Sequence, residues 1–429
     1  MDRIIKIIAL LIALCTLLSC IGCAEEGENT TQGKTVTAWV YSEQVAQLMG
    51  STFKSDNPGL EWNLDIKAVD AGDFEEEFAK AEAEGKIPDI VLLSPENLAK
   101  YLESGKLCDL VALGLEPDPD RYYSYAYDMG FDSTNSQRAM CWQADPILFF
   151  YRRSIAKYYL GTDDPAEISQ MVSSFDSFIE TAIKLKEASG GATRILAGTE
   201  DLLYVYMNSE NWIDENGRFA ITDEAEKFID TAYTMENESL TWGAQQYSQA
   251  WLSGISDGQS VFGYFMSGIG LDNVLKKACG GDIAGEGSFG DWAAAVGFSS
   301  CNMGGSWMAI PEDAKNKEEA LYFVSYFTCE TEAMKKYFLA SGDFCANTIV
   351  SEQIQFDPQF TESFLGGQNY YSLLADSAEH IPSKKAGKFE SRITSAFAEN
   401  VTAYTQGYKT REQAIEDLKK TAEQIINAS

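Results

Sequence analysis

Histidine is nearly missing from this chain: His380 is the only one in 429 residues. That scarcity excludes metal centres built on several imidazoles, and His380 itself, just ahead of Ile381-Pro382, reads as an exposed polar residue rather than a catalytic one. Basic residues are few as well, with 33 Lys+Arg against 65 Asp+Glu and a net charge of −32. Nucleic acid and anionic membrane surfaces are therefore excluded as partners, and the charge reads as a solvated, self-repelling surface. Beyond the N-terminus nothing approaches the roughly eighteen uninterrupted apolar residues of a spanning helix. HExxH and Walker sequences are missing, and no CxxC pair occurs after Cys23. No catalytic residue, metal ligand or cofactor site can be assigned from what remains.

What is present begins at the first residue. Arg3 and Lys6 precede an almost unbroken apolar run over 4–18, closed by Leu17-Leu18-Ser19-Cys20. A basic flank, a short apolar stretch, a small residue and a cysteine form an export signal that ends in a lipid-attachment box. The run falls short of the roughly twenty residues a membrane-crossing helix needs. Cleavage before Cys20 would expose a thiol for acylation, and Gly22-Cys23 offers a second, weaker box. Residues 1–23 are thus assigned to a lipoprotein signal and 24–34, polar and small, to a flexible tether. The remainder is expected to fold on the extracellular face of the cell membrane.

Roughly 400 residues exceed a single core and suit two lobes. Hydrophobic residues make up 45% and aromatics 12%, enough to fill both. Over 35–41 apolar and polar residues alternate as in a strand, a helix is expected over 43–54, and 60–68 alternates again. Phe74 and Phe78 lie one turn apart on a helix ending at Gly85, and 87–93 is a third strand. Strand and helix in alternation predict a parallel α/β sheet with ligands at the carboxyl ends of its strands. Further on, 147–151, 292–298 and 307–310 read as strands, and 175–187 and 224–235 as helices. Residues 212–219 read as two short strands around Asn216-Gly217. Asn316 with Glu319, and Thr410 with Gln413, have the spacing of capping boxes.

Two motifs fail on context. Gly285-Glu286-Gly287-Ser288-Phe289-Gly290 has the letters of a dinucleotide fingerprint but lacks the preceding strand and following helix, so it reads as a loop. Asp214-Glu215-Asn216-Gly217 has only the beginning of a calcium loop. Disulfides Cys329–Cys345 and Cys279–Cys301 are the near-sequence options for an exported chain, against burial of the cysteines as small hydrophobes. The candidate binding residues are aromatic and polar groups at strand ends and turns: Trp39, Tyr41, Glu43, Trp142, Asp145, Trp251, Tyr264 and Trp307. A flat ring matches the C–H face of a sugar, and neighbouring carboxylates and amides can bond its hydroxyls. The alternative for each ring is core packing.

Four stretches resemble the extracellular solute-binding proteins of bacterial ABC importers, specifically the sugar-binding group that includes maltose-binding protein. They are 36–41, 147–153 with 160–165 and 175–186, 257–264, and Gly304-Gly305-Ser306-Trp307-Met308-Ala309-Ile310-Pro311 followed by Lys315-Asn316-Lys317-Glu318-Glu319-Ala320. The last is the most specific. The resemblance implies a periplasmic-binding-protein-like fold of two lobes, each a mostly parallel sheet flanked by helices, with the ligand cleft between them. Lobe 1 is placed at 35–146 plus 297–345 and lobe 2 at 147–290 plus 346–429. By position, Tyr41, Glu43, Trp142, Asp145, Tyr264, Ser306 and Trp307 would contact ligand. The segment Phe262–Ser267 departs from the pattern in lacking the tryptophan that often stacks a sugar there. The implied function is a lipid-anchored monomeric receptor that passes a mono- or oligosaccharide to an ABC permease. A surface glycan-processing enzyme and a sensory receptor for a non-sugar solute are the alternatives.

Overall fold

The computed structural model describes residues 33–207, 211–214, 216–256, 258, 260–383, 387 and 389–428. The signal, Cys20, Cys23 and nearly all of the tether lie outside the described residues. Among those described, no helix is long and apolar enough to cross a membrane.

Alternation over the first segment produces β1 (Thr35–Val40), whose Val36 and Ala38 are fully buried. The Ser42 side chain then accepts the Val45 amide and starts the helix Glu43–Asp56, which buries Met49 and Phe53. β2 (Asn63–Ala68) begins later than the alternation suggests, because Trp62 packs on Phe53 at 5.7 Å instead of joining the ladder. The helix Phe74–Glu84 closes on Gly85 at φ +65°, a left-handed cap that favours glycine. β3 (Ile90–Leu93) also starts late, because Asp89 performs a different task. Its buried carboxylate accepts from the Thr37 amide (2.9 Å) and hydroxyl (3.1 Å), from the Lys315 and Asn316 amides (3.0 and 2.9 Å), and from Asn316 Nδ2 (3.0 Å).

With β4 (Met140–Gln143) and β8 (Ser306–Ala309), these strands form a five-stranded sheet ordered β2-β1-β3-β8-β4. β1 runs parallel to β2 and β3, whereas β8 runs antiparallel to β3 and β4. The carboxyl ends of β1, β3 and β4 therefore share one edge with the amino end of β8. The second sheet, ordered β6-β5-β7, contains β5 (Ile147–Arg152), β6 (Gly263–Ser267) and β7 (Trp292–Ala295). Here the expectation of a mostly parallel sheet is corrected: β5 is antiparallel to both neighbours. Among the described residues, parallel pairing in this half survives only as the single bridges Arg194–Val261 and Leu196–Thr241. The sequence could not tell these apart, since β5 is buried along its whole length and reads as one apolar run in either orientation.

The chain passes between the sheets along a paired ribbon. The crossing from β4 to β5 lies beside the crossing from β7 to β8: Ile147 N–H donates to Cys301 O (2.9 Å), and Met303 N–H to Asp145 O (3.1 Å). A third segment joins them, with Ala144 N–H on Phe344 O (3.0 Å) and Ala346 N–H on Trp142 O (3.2 Å). At Gly304 a Cβ would stand 2.7 Å from Asp145 Oδ2, so a side chain there would spread the ribbon.

Other local expectations fare unevenly. Thr410 and Gln413 form the full capping box of the helix Arg411–Asn427, with Ala414, Leu418, Ala422 and Ile425 buried. Asn316 precedes the helix Lys317–Thr328 but makes no cap bond, because its side chain reaches Thr35 O (2.9 Å) and Asp89. The 212–219 pair shrinks to one bridge, Ile213–Phe219. Its Asp214 is spent on the Asn216 and Arg218 amides at 2.9 and 2.8 Å. The 285–290 segment is a loop in which Gly287, at φ +52°, lies against the Cys279 carbonyl, so its glycine serves backbone packing. The six described cysteines are free thiols, which rules out both disulfides in this structure.

Asp89→Ala leaves five donors without their acceptor and is expected to cost about 3 kcal/mol, read as a lower urea midpoint, with Asp89→Asn intermediate.

Candidate functional site

Between the two sheets lies a cavity of about 560 Å³, within the roughly 300–1,000 Å³ usual for small-ligand clefts. One wall is Ala71, Gly72, Tyr125, Met129 and the turn from β3 into the helix Pro95–Tyr101, including Ser94 and Glu96. The opposite wall is Glu200, Leu203, Tyr204, Met207, Gln246 and one face of the helix Glu390–Thr405, with Glu390, Arg392, Thr394 and Ser395. Asn302, Met303 and Gly304 of the connecting ribbon also line it. Apolar surface, ring edges and hydrogen-bonding groups therefore face one another.

Tyr125 marks the cavity most sharply. It is 2% exposed, and its hydroxyl has no hydrogen-bond partner. A buried unpaired hydroxyl is costly. The opposite wall, by contrast, is braced from behind. Gln246 N–H donates to Glu200 Oε2 (2.8 Å), Thr402 Oγ1 to Glu200 Oε1 (3.2 Å), and Gln246 Nε2 to Asp201 Oδ1 (3.2 Å). Trp251 Nε1 closes the network by donating to both Asp201 oxygens, at 2.9 and 3.2 Å. Glu200 and Gln246 are thus held in place before any solute arrives.

None of the nine residues singled out from sequence lines this cavity. The tryptophans are core. Trp39 meets Phe74 and Phe78 edge-on at 6.1 and 6.3 Å, and Trp142 packs on Tyr337 at 5.0 Å. Trp307 is fully buried and donates its Nε1 to Ala126 O at 2.8 Å. Trp251 and Tyr264 meet edge-on at 4.7 Å, with Tyr264 Oη donating to Trp251 O at 3.1 Å, so the pair supports the braced wall from inside. Glu43 is exposed in the first turn of its helix. Tyr41 and Ser306 do meet, at the shared edge of the first sheet, where Ser306 Oγ donates to Gln143 Oε1 at 2.9 Å. Asp145 sits directly behind the cavity, against Gly304 of its lining. Tyr125, Tyr204, Glu200 and Gln246 were missed. The only signal for any of them is the tyrosine run Tyr122, Tyr123, Tyr125 and Tyr127, whose burial and partners no pattern discloses.

Burial shapes the electrostatics. Desolvation pushes the Asp201 carboxyl up to about 8, against the lowering pull of Trp251 and Gln246. Desolvation likewise lifts Asp145 to about 7, opposed by Ser267 and the Ile269 amide. Asp343, beside the same ribbon, is raised to about 7 by burial and by the charge of Asp272. Among the described residues no cluster of His, Cys, Asp and Glu could hold a metal ion.

A carboxyl whose folded value exceeds the ordinary unfolded one, near 4, gives up its proton first in the unfolded chain. Its stabilisation is complete below about pH 4 and is lost as pH rises through the folded value. Wild-type protein should therefore melt higher at about pH 5.5 than at about pH 8.5, and Asp201→Asn, which keeps an acceptor for Trp251, should show a smaller difference in calorimetric scans.

Residues 49–362 match the family described as bacterial extracellular solute-binding protein. An arabinooligosaccharide-binding protein of Halalkalibacterium halodurans is 23% identical over 276 residues, which span 59% of this chain and 59% of that protein's length. Among solved structures, an extracellular solute-binding protein of family 1 superposes with a TM-score of 0.79 at 16% identity, covering 92% of this chain and all of the other. The sugar-binding protein MalE from Xanthomonas citri gives a TM-score of 0.74 at 15% identity, over 92% of this chain and 98% of that one. These likenesses establish the two-lobe α/β fold of periplasmic-binding-protein type. The chain belongs to the bacterial extracellular solute-binding protein family.

Proposed function

We propose that the protein is a lipid-anchored receptor that closes its two lobes on an oligosaccharide and delivers it to an ABC permease. The observation that carries this is the cavity between the sheets, lined on one side by Tyr125, whose buried hydroxyl has no hydrogen-bond partner, and on the other by the pre-braced Glu200 and Gln246. Such a lining offers a neutral polyol both ring contacts and paired donors and acceptors. Glu96, Glu200 and Glu390 outnumber Arg392 around it, and the overall charge of −32 adds to their field, so anionic solutes are disfavoured. Arabinooligosaccharide binding by one relative and sugar binding by MalE support the solute class.

The connecting ribbon serves as hinge in this reading, with lobe 1 at 35–146 plus 297–345 and lobe 2 at 147–290 plus 346–429. Contacts from both walls to one solute favour the closed state only to the extent that they are made in that state alone. The leader ending at Leu17-Leu18-Ser19-Cys20 supplies the anchor, with Cys23 as its alternative, and the receptor acts as a monomer without catalysis.

Titration calorimetry with neutral glycans is expected to give saturable binding to at least one oligosaccharide. Tyr125→Phe should weaken it about tenfold while stabilising the empty protein by roughly 1 kcal/mol, since the unpaired hydroxyl is gone. Heat from a polyamine or peptide, with none from any glycan, would contradict the carbohydrate assignment.

A further inference from the structure

The ribbon carries an acid in its interior. Asp145, on the crossing from β4 to β5, is 4% exposed. Its carboxylate is packed against Gly304 of the neighbouring crossing, where a Cβ would stand 2.7 Å from Oδ2. Asn302 clips the same two crossings together: the Asp145 amide donates to its Oδ1 (3.3 Å), and its Nδ2 donates to Gly304 O (2.7 Å). On the other side, Asp145 Oδ1 accepts from the Ile269 amide at a long 3.5 Å, with Ser267 as a side-chain donor. The carboxylate thus fills the seam between the paired crossings and the turn that follows β6.

No cation answers this charge. Among the described residues no Lys, Arg or His is paired with Asp145, and the charge that acts on it is Asp343 of the third segment, of like sign. Asp343 lies beside Gln143 and within the field of Asp272. Lys276, behind Asp272, is already shared between Asp272 (2.6 Å) and Glu362 (2.7 Å). The remaining ionisable groups that act with Asp145 are the hydroxyls of Tyr125, Tyr247 and Tyr370, all shifted upward by burial and neutral near pH 7. Asn302–Gly304 and Ser267–Ile269 bring no ionisable side chain. A buried carboxylate without a counter-charge either keeps a proton or gains water. Here water gains it by parting the crossings.

We propose that Asp145 is a proton-operated latch in the hinge: protonated, it keeps the two crossings together; ionised, it draws water into the ribbon and lets the lobes swing apart. The proposal rests on the ribbon acting as the hinge and is independent of which solute the cleft holds. The proton is then a ligand that favours the dry ribbon over the wet one. Its carboxyl is raised to about 7 in the dry ribbon against about 4 for a hydrated aspartate. The advantage of the dry state is complete below about pH 4 and is lost as pH rises through about 7, falling about 30-fold between about pH 5.5 and pH 8.5.

The test is small-angle X-ray scattering of the empty protein from about pH 5.5 to 8.5 at constant ionic strength, with folding checked by melting. The wild-type radius of gyration is expected to grow through a midpoint near 7. Asp145→Asn, which cannot ionise, should keep the low-pH radius throughout. Asp343→Asn removes the like charge and should move the wild-type midpoint to lower pH, a readout that stands even where Asp145→Asn fails to fold. Surface repulsion from the −32 net charge is common to wild type and variants, so it cannot mimic the difference. Gly304→Val wedges the crossings at every pH and should show the larger radius even at about pH 5.5. A wild-type radius that does not change, or one that changes equally in Asp145→Asn, would overturn the latch; an enlarged Gly304→Val would then leave the hinge standing. A Gly304→Val radius equal to wild type at low pH, with no pH response in either, would overturn both.

Discussion

Everything in this molecule depends on the ribbon where the chain crosses between its sheets. Two crossings lie side by side, bonded from Ile147–Cys301 to Asp145–Met303, and a third strand segment pairs at Ala144–Phe344. A Cβ at Gly304 would stand 2.7 Å from the Asp145 carboxylate, which is packed against it. A link of this kind holds the two bodies at a defined separation and leaves a cleft instead of a fused core. Because the ribbon itself lines that cleft, a solute touching Asn302 or Gly304 touches the element that sets the spacing of the lobes. Bending such a link requires small changes over few residues, which is how hinge closure is usually achieved.

Behind each wall lies a different kind of support. The wall of Glu200 and Gln246 is fixed by a polar network that ends at the buried pair Asp201 and Trp251. Tyr125, across the cavity, is left without a partner. The asymmetry makes physical sense in a receptor. One side is preorganised, so little ordering entropy is lost on binding, and the other buries an unpaired hydroxyl at a cost in stability.

Where local physics decides, the sequence was legible. The cap at Gly85 and the Thr410–Gln413 box each follow from contacts within a few residues. Where distant partners compete, it was not. Asn316 has the spacing of a cap, yet its side chain goes to Asp89 and Thr35, 227 and 281 positions away. The antiparallel second sheet was hidden because a strand buried on both faces carries no mark of its neighbours' direction. The site was hardest to read. Tryptophan identity suggested stacking platforms, but Trp39, Trp142 and Trp307 are claimed by aromatic neighbours or a backbone carbonyl, a matter of packing that composition does not record. The cleft is assembled from residues within 71–129, 200–246, 302–304 and 381–398, stretches far apart along the chain.

Small-angle X-ray scattering of the empty and sugar-saturated protein tests the central claim most directly. Closure of two rigid lobes about the ribbon predicts a smaller radius of gyration with solute bound and unchanged mass. Superimposable profiles, under conditions where calorimetry shows the sugar bound, would contradict a cleft that works by closing.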